Sequence, residues 1–99
     1  ELVLNLDVAS TVLDLAGIAA SAAMQGRSVL PLVRGEHPAG REDFFCENHF
    51  AVPAQYYPLI EGVRTTRWKY VRYPEMKPIY EQLFDLANDP KERRDQGGN

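Results

Sequence analysis

The fold is decided by the stretch GVRTTRWKYV, which occupies residues 62–71. β-Branched and aromatic residues lie on both sides of a short polar segment, which is the pattern of two strands joined by a tight turn. We therefore predict a β-hairpin of strands Leu59–Thr65 and Trp68–Tyr73 that turns at Thr66 and Arg67, with the indole ring partly buried. This hairpin makes an antiparallel sheet the expected architecture.

Two further strands and an N-terminal helix extend the predicted fold. Residues 43–50 and 81–86 have the apolar and aromatic content of short strands. An apolar stripe at helical spacing predicts an N-terminal helix that is capped by Asn5 or Asp7 and ends at Gly17. We therefore expect an α+β fold, in which a small four-stranded antiparallel sheet accompanies this helix.

The chain also carries the local signal for a C-terminal helix. Asp89 can accept hydrogen bonds from the first helical N–H groups, Pro90 suits the first helical position, and Glu92 falls where a capping-box carboxylate reaches back. Gly97 and Gly98 leave room for about two turns. We therefore expect this helix to be truncated.

Composition narrows the classes of function. The 99 residues carry a net charge of −3, which argues against nucleic acid as a partner, and no apolar run is long enough to span a membrane. Cys46 is the only cysteine, so no internal disulfide can form, and we expect its side chain to be buried in a strand. With two histidines, one cysteine and no carboxylates at calcium-loop spacing, the sequence predicts no metal site in this chain.

Several segments in a fixed order resemble the C-terminal part of the type I sulfatases of the alkaline-phosphatase superfamily. The matching segments are residues 1–18, 25–35, 41–47, 62–71 and 83–92. Their ordered combination is specific, whereas each one alone is mostly a signature of the fold. Two departures are visible: Ser10 stands where the family usually has proline, and two arginines, an aspartate and two glycines follow Glu92 where the family continues a long helix.

The resemblance implies a division of the chain and a chemistry for its parent protein. Residues 1–40 would end the sulfatase catalytic domain and connect it to a C-terminal subdomain, residues 41–99. The parent would hydrolyse a sulfated small molecule or carbohydrate with a formylglycine nucleophile and calcium, and the rest of the catalytic domain would be the partner of this region. Cys46 lacks the proline and arginine of the Cys/Ser-x-Pro/Ala-x-Arg motif, so we expect no catalytic residue here and no activity of the fragment alone.

Three residues are candidates for substrate binding. Glu47 and His49 are alternate residues of a predicted strand and would lie on one face, in a subdomain that the resemblance places over part of the substrate pocket. Arg64 in the hairpin would reach the catalytic cleft of the parent. The alternative is structural, with a solvated, ion-paired strand end for the first two, and with cross-strand partners such as Glu61 and Glu81 for the basic residues of the hairpin.

Two other functions are compatible with the sequence. A phosphodiester or phosphonate hydrolase of the same superfamily would share the fold, and a Cys-x-Pro-x-Arg motif elsewhere in the parent would distinguish a sulfatase from it. A free-standing binding or oligomerisation module would be distinguished by its size in solution. A fragment separated from its catalytic domain would expose the apolar stripe of Val8, Val12 and Leu15 and one uncovered sheet face, which predicts self-association. The resemblance is compatible with a periplasmic or extracellular parent.

Overall fold

The computed structural model describes residues 1–48 and 58–98. Its elements follow in chain order: α1 Asp7–Leu15, α2 Leu30–Val33, β1 Asp43–Asn48, β2 Ile60–Thr65, β3 Trp68–Tyr73 and β4 Tyr80–Asp85. The chain separates into two units, Glu1–Arg41 with the helices and Glu42–Asn99 with the sheet. Within the described ranges, none of the helices is long and apolar enough to cross a membrane.

The first unit is built on α1. This helix begins after Leu6 without a side-chain cap and ends at Leu15; Ala16 is its C-cap, and Gly17 follows at a φ of +69°. The predicted end at Gly17 is confirmed, because glycine adopts a left-handed conformation without a steric penalty. The predicted capping by Asn5 or Asp7 is wrong: Asp7 is the first helical residue, and its carboxylate accepts hydrogen bonds from outside the helix.

The buried side of α1 is polar, and its exposed side is apolar. Asp7 and Ser10 are the buried residues of the helix, whereas Val8, Val12 and Leu15 are each more than half exposed. The apolar stripe that predicts the helix is therefore not buried within residues 1–41.

The second unit is one antiparallel sheet in the order β1-β2-β3-β4, which confirms the predicted four-stranded architecture. The hairpin turns at Thr66 and Arg67 as predicted. The Thr65 hydroxyl accepts hydrogen bonds from the backbone N–H groups of Arg67 at 3.2 Å and of Trp68 at 2.8 Å. Trp68 is half-buried, and the Arg67 guanidinium carbon lies 4.8 Å from its ring centroid. The last two residues of the predicted first strand lie outside the described residues.

The pleat of the sheet divides its side chains between two faces, and residues that pair across strands share a face. The face named here the Val71 face carries Phe44, Cys46, Gly62, Arg64, Lys69, Val71, Gln82 and Phe84. The opposite face, named the Tyr70 face, carries Phe45, Glu47, Glu61, Val63, Tyr70, Arg72, Glu81 and Leu83. The buried hydrophobic residues of the sheet are Val71 and Phe84, so the core of this unit lies on the Val71 face.

The predicted C-terminal helix is wrong: the part of the chain described after β4, residues 86–98, contains no helical segment. In this segment, side chains accept hydrogen bonds from backbone N–H groups that would otherwise bond within a helix. The Asp89 carboxylate accepts a hydrogen bond from the N–H of Arg94 at 2.8 Å, five residues on, instead of capping a first helical turn. Glu92 adopts a φ of +53°, which interrupts a right-handed helix.

The same segment runs beside β4 instead. The N–H of Gln96 donates to the carbonyl of Leu83 at 2.8 Å, and the N–H of Leu83 donates to the Asp95 carboxylate at 2.9 Å. These two bonds use backbone groups on the outer edge of β4. The helix signal at residues 89–92 is local, and contacts with the sheet override it.

The prediction that Cys46 is buried is also wrong. Its side chain is exposed, although it shares a face with Val71. β1 is an edge strand of the sheet, and five of its six residues are exposed. A side chain on this edge strand is therefore exposed even where it lies on the face that carries the core.

Candidate functional site

The residues that the sequence predicts for substrate binding are not all brought together. Glu47 lies on the Tyr70 face and Arg64 on the Val71 face, because they pair with Glu61 and Lys69 respectively. The two side chains project to opposite sides of the sheet, so they do not line a common pocket within it. His49 lies outside the described residues, and its position beside Glu47 stays a prediction.

A row of ionisable residues crosses the Tyr70 face. The strand register aligns Glu47, Glu61, Arg72 and Glu81 across all four strands. The Arg72 Nε donates to Oε2 of Glu61 at 2.6 Å, which confirms the predicted cross-strand pairing of the hairpin. This hydrogen bond and the charge of Glu61 raise the pKa of Arg72. Its side chain nevertheless remains 45% exposed, so the guanidinium is held in place and still accessible.

A second row, next to the first, is largely apolar. Phe45, Val63, Tyr70 and Leu83 are aligned across the four strands. Phe45 is 59% exposed and Val63 is 41% exposed, so apolar surface is open on this face. A shallow concavity of about 380 Å³ opens here, lined by Phe45, Glu61, Gly62, Val63, Tyr70 and Arg72.

Tyr70 links the two rows. Its hydroxyl donates a hydrogen bond to the carboxylate of Glu81. This hydrogen bond and partial burial raise the pKa of the Tyr70 phenol, so the hydroxyl remains a donor at neutral pH. Two carboxylates of the ionisable row, Glu61 and Glu81, are therefore each held by a donor from β3.

The Val71 face is organised differently around Arg64. Lys69, the cross-strand neighbour of Arg64, forms an ion pair with Glu92 at 2.6 Å. The same ammonium lies 5.9 Å from the ring centroid of Phe84. The segment after β4 thus contacts this face through Glu92, while Arg64 itself is exposed. The predicted role of Arg64 in substrate binding stays a prediction.

The most constrained carboxylate of the first unit is Asp7, which is 2% exposed. It accepts two hydrogen bonds from the Arg41 guanidinium at 2.9 and 3.0 Å, and one each from the N–H groups of Leu4 and Arg27, both at 2.8 Å. The hydrogen bonds from Arg41 hold the pKa of Asp7 well below its usual range. The sequence alone carries no signal for this pair, because its members are 34 residues apart. The Asp7–Arg41 clamp joins three separate segments, which is a structural role.

A second buried carboxylate, Asp85, ends β4. The Arg67 guanidinium donates to its two oxygens at 3.1 and 2.8 Å, and the Asn88 side-chain amide donates at 2.8 Å. The hydrogen bonds from Arg67 lower the pKa of Asp85 to about 2. Because Arg67 lies in the hairpin turn, Asp85 fixes that turn to the end of the fourth strand.

The residues that the structure describes do not fit the cofactors that the resemblance implies. Among residues 1–48 and 58–98, no three His, Cys, Asp or Glu side chains are grouped as a metal site requires. Calcium takes six to eight oxygen ligands, and the described carboxylates provide no such cage. Cys46 is followed by Glu47 and Asn48, which is not the sequence context of a formylglycine precursor.

Comparison with known proteins establishes the family. The family model described as N-sulphoglucosamine sulphohydrolase, C-terminal, matches residues 1–98. The chain therefore belongs to this family, and it corresponds to the C-terminal region of a sulfatase.

Individual relatives agree with this assignment. The choline-sulfatase of Rhizobium meliloti (strain 1021) is 42% identical over 91 residues, which cover 89% of this chain and 16% of that protein. Human arylsulfatase K is 37% identical over 98 residues, covering 88% of this chain and 17% of the relative. The solved structure of a 2-O GAG sulfatase superposes with a TM-score of 0.78 at 32% identity, covering 94% of this chain and 20% of that one. The chain thus spans about a fifth or less of the sulfatases that it matches.

Proposed function

We propose that this chain serves as the C-terminal region of an enzyme that hydrolyses sulfate esters. The supporting observation is the family match across residues 1–98, together with relatives that are named as sulfatases. In this proposal, residues 1–40 end the catalytic domain and connect it to a C-terminal subdomain, residues 41–99. The substrate is a sulfated small molecule or carbohydrate, in line with the relatives named choline-sulfatase and 2-O GAG sulfatase.

This region supplies packing and substrate-pocket residues, and the reacting groups come from elsewhere in the enzyme. The proposal rests here on chemistry: Cys46 lacks the motif of a formylglycine precursor, and the described carboxylates do not form a calcium cage. The nucleophile and the metal are therefore assigned to the other part of the sulfatase polypeptide, and the 99-residue chain alone is inactive.

Activity measurements on two proteins test this proposal. The purified 99-residue chain should release the phenol of an aryl sulfate no faster than buffer, with or without calcium. The full-length polypeptide that carries these residues should hydrolyse a sulfate ester. Calcium-dependent turnover by the short chain, abolished by a substitution within it, would contradict the proposal. A full-length protein that cleaves phosphodiesters and no sulfate ester would contradict it as well.

The partner of the apolar stripe on α1 is, in the same proposal, the rest of the catalytic domain. Val8, Val12 and Leu15 are exposed in this chain, and contiguous apolar surface on a protein marks an interaction site. Without that partner, the 99-residue chain should bury the stripe by associating with itself.

Light scattering at high protein concentration measures this association. The wild-type chain should be a dimer or larger, and the triple variant Val8→Ser, Val12→Ser, Leu15→Ser should be smaller. Val33→Ser is the matched control, because Val33 is an equally exposed apolar residue outside the stripe. A strictly monomeric wild-type chain would count against a surface that needs a partner.

A further inference from the structure

We propose that the Tyr70 face of the sheet contacts the alcohol part of the sulfate ester, and that Arg72 is the specificity-determining residue on it. This inference rests on the proposed function and deepens it, because it assigns the substrate contact to one of the two faces. The Val71 face holds the buried hydrophobic residues of the sheet.

The two faces differ in how their apolar residues are covered. The Val71 face holds the buried Val71 and Phe84, and the segment after β4 contacts it through the Lys69–Glu92 ion pair. The Tyr70 face instead exposes Phe45 beside a fixed set of polar groups. Small-molecule sites are concave, mostly apolar and oriented by a few polar groups, with volumes of about 300–1,000 Å³. The concavity on the Tyr70 face is shallow and open to solvent, and it combines the apolar Phe45 and Val63 with the polar Glu61, Tyr70 and Arg72.

The polar groups at this concavity suit hydroxyl groups. Arg72 uses its Nε–H on Glu61, and a guanidinium has four further N–H donors on its two Nη atoms. Glu61 has a second carboxylate oxygen, so a donor and an acceptor lie side by side at a fixed separation. A hydroxyl both donates and accepts hydrogen bonds, and two neighbouring hydroxyls match such a pair.

The charges and the apolar residues of this concavity further restrict the class of ligand that it favours. The ionisable row holds three carboxylates and one guanidinium, so a free anion is disfavoured there and the sulfate group must point away from this face. Phe45 and Val63 offer apolar surface to the C–H groups of a saturated ring. The chemistry therefore favours a polyhydroxylated alcohol over a flat aryl alcohol.

Arg72 is the residue most suited to discriminate among ligands. It lies on β3, between Glu61 and Glu81 in the row, and its ion pair fixes the guanidinium before a ligand arrives. A group that is already ordered loses little conformational entropy on binding. Truncating it leaves ligand hydroxyls without a charged hydrogen-bond donor, which weakens binding about tenfold to a hundredfold.

Steady-state kinetics of the full-length polypeptide test the inference, with monosaccharide sulfates and 4-nitrophenyl sulfate as the probes. Arg72→Gln should lower kcat/KM for the best monosaccharide sulfate by about tenfold to a hundredfold, mainly by raising KM. It should leave 4-nitrophenyl sulfate unaffected, because nitrophenol has no ring hydroxyls that could hydrogen-bond to Arg72. Arg93→Gln is the control, since it removes an exposed arginine of the segment after β4, and it should change neither substrate. Arg72→Lys keeps the charge without the planar fork and should lose part of the same selectivity.

The possible outcomes separate the inference from the proposed function. Equal losses on both substrates with Arg72→Gln, no loss on either, or an equal loss with Arg93→Gln would overturn the inference. A wild type that cleaves 4-nitrophenyl sulfate but no monosaccharide sulfate would overturn the inference and leave the proposed function standing. A wild type that cleaves no sulfate ester at all would overturn both.

Discussion

Two arginine–carboxylate pairs in this chain share one chemistry and have opposite surroundings. In the Asp7–Arg41 clamp the side chains are 3% and 12% exposed, whereas in the Glu61–Arg72 pair they are 23% and 45% exposed. Removing one partner of a buried pair leaves an uncompensated charge in a dry environment. Removing one partner of an exposed pair costs little, because water solvates the other. The enclosed pair therefore maintains the fold, and the open pair is available to a ligand.

Breaking the enclosed pair should have the largest effect on stability. Asp7→Ala leaves the Arg41 guanidinium and the N–H groups of Leu4 and Arg27 without their shared acceptor. We expect the free energy of unfolding to fall by about 3–5 kcal/mol, measured by urea titration followed by far-UV circular dichroism. Glu61→Gln is the control and should move the urea midpoint only slightly. Equal shifts for the two variants would remove the distinction between the pairs.

Lowering the pH should also destabilise the fold, because it protonates the enclosed carboxylates. Arg41 depresses the pKa of Asp7 in the folded state, and Arg67 depresses that of Asp85 to about 2. A carboxyl group with a lowered folded-state pKa contributes stability above its unfolded pKa of about 4, and that contribution is lost as the pH falls below it. The urea midpoint should therefore be flat from pH 7 to pH 5 and decline between pH 4 and pH 2. A decline that is already complete at pH 5 would show that other groups control acid stability.

Two adjacent hydroxyls on α1 provide a finer test of burial. Within the described residues, the Ser10 hydroxyl is buried without a hydrogen-bond partner, whereas the Thr11 hydroxyl donates to the carbonyl of Asp7 and accepts from the N–H of Val29. Ser10→Ala removes an unsatisfied polar group and should raise the free energy of unfolding by about 1 kcal/mol. Thr11→Ala should lower it by about 1–2 kcal/mol. A destabilising Ser10→Ala would mean that this hydroxyl is satisfied in solution.

The smallest expected effect on stability is that of the open pair. Arg72→Gln removes an ion pair whose two members are both accessible to water. Thermal melting of the 99-residue chain should give nearly the same midpoint for this variant as for the wild type, and raising the salt concentration should not separate them. A clear loss of stability would assign Arg72 a structural role.

Local signals in the sequence predicted the parts of the fold that depend on local interactions. The hairpin at Thr66 and Arg67 follows from side chains that lie within a few residues of the turn, and the strand pattern around it was correct. The helix signal at residues 89–92 is equally local, yet it failed because Asp95 and Gln96 bond to Leu83 in a strand. Contacts between distant segments decide such cases, and a single sequence does not display them.

The candidate site depended on strand register in the same way. Alternation along one strand predicts which residues share a face within that strand, but Glu47 and Arg64 lie on different strands. Their placement on opposite faces follows from the pairing of β1 with β2, and the long connection between those strands carries no register signal. The Glu61–Arg72 pair was predictable, because the tight turn of the hairpin sets the register of β2 against β3.

The central claim is that the enclosed pair maintains the fold and the exposed pair contacts the substrate. It is tested most directly by measuring the melting temperature and kcat/KM of the same variants in the full-length polypeptide. Asp7→Ala should lower the melting temperature and, well below that temperature, leave the kcat/KM ratio between a monosaccharide sulfate and 4-nitrophenyl sulfate unchanged. Arg72→Gln should leave the melting temperature unchanged and lower that ratio about tenfold or more. The opposite pattern, with Arg72→Gln acting on melting and Asp7→Ala on the substrate ratio, would contradict the assignment of the two pairs.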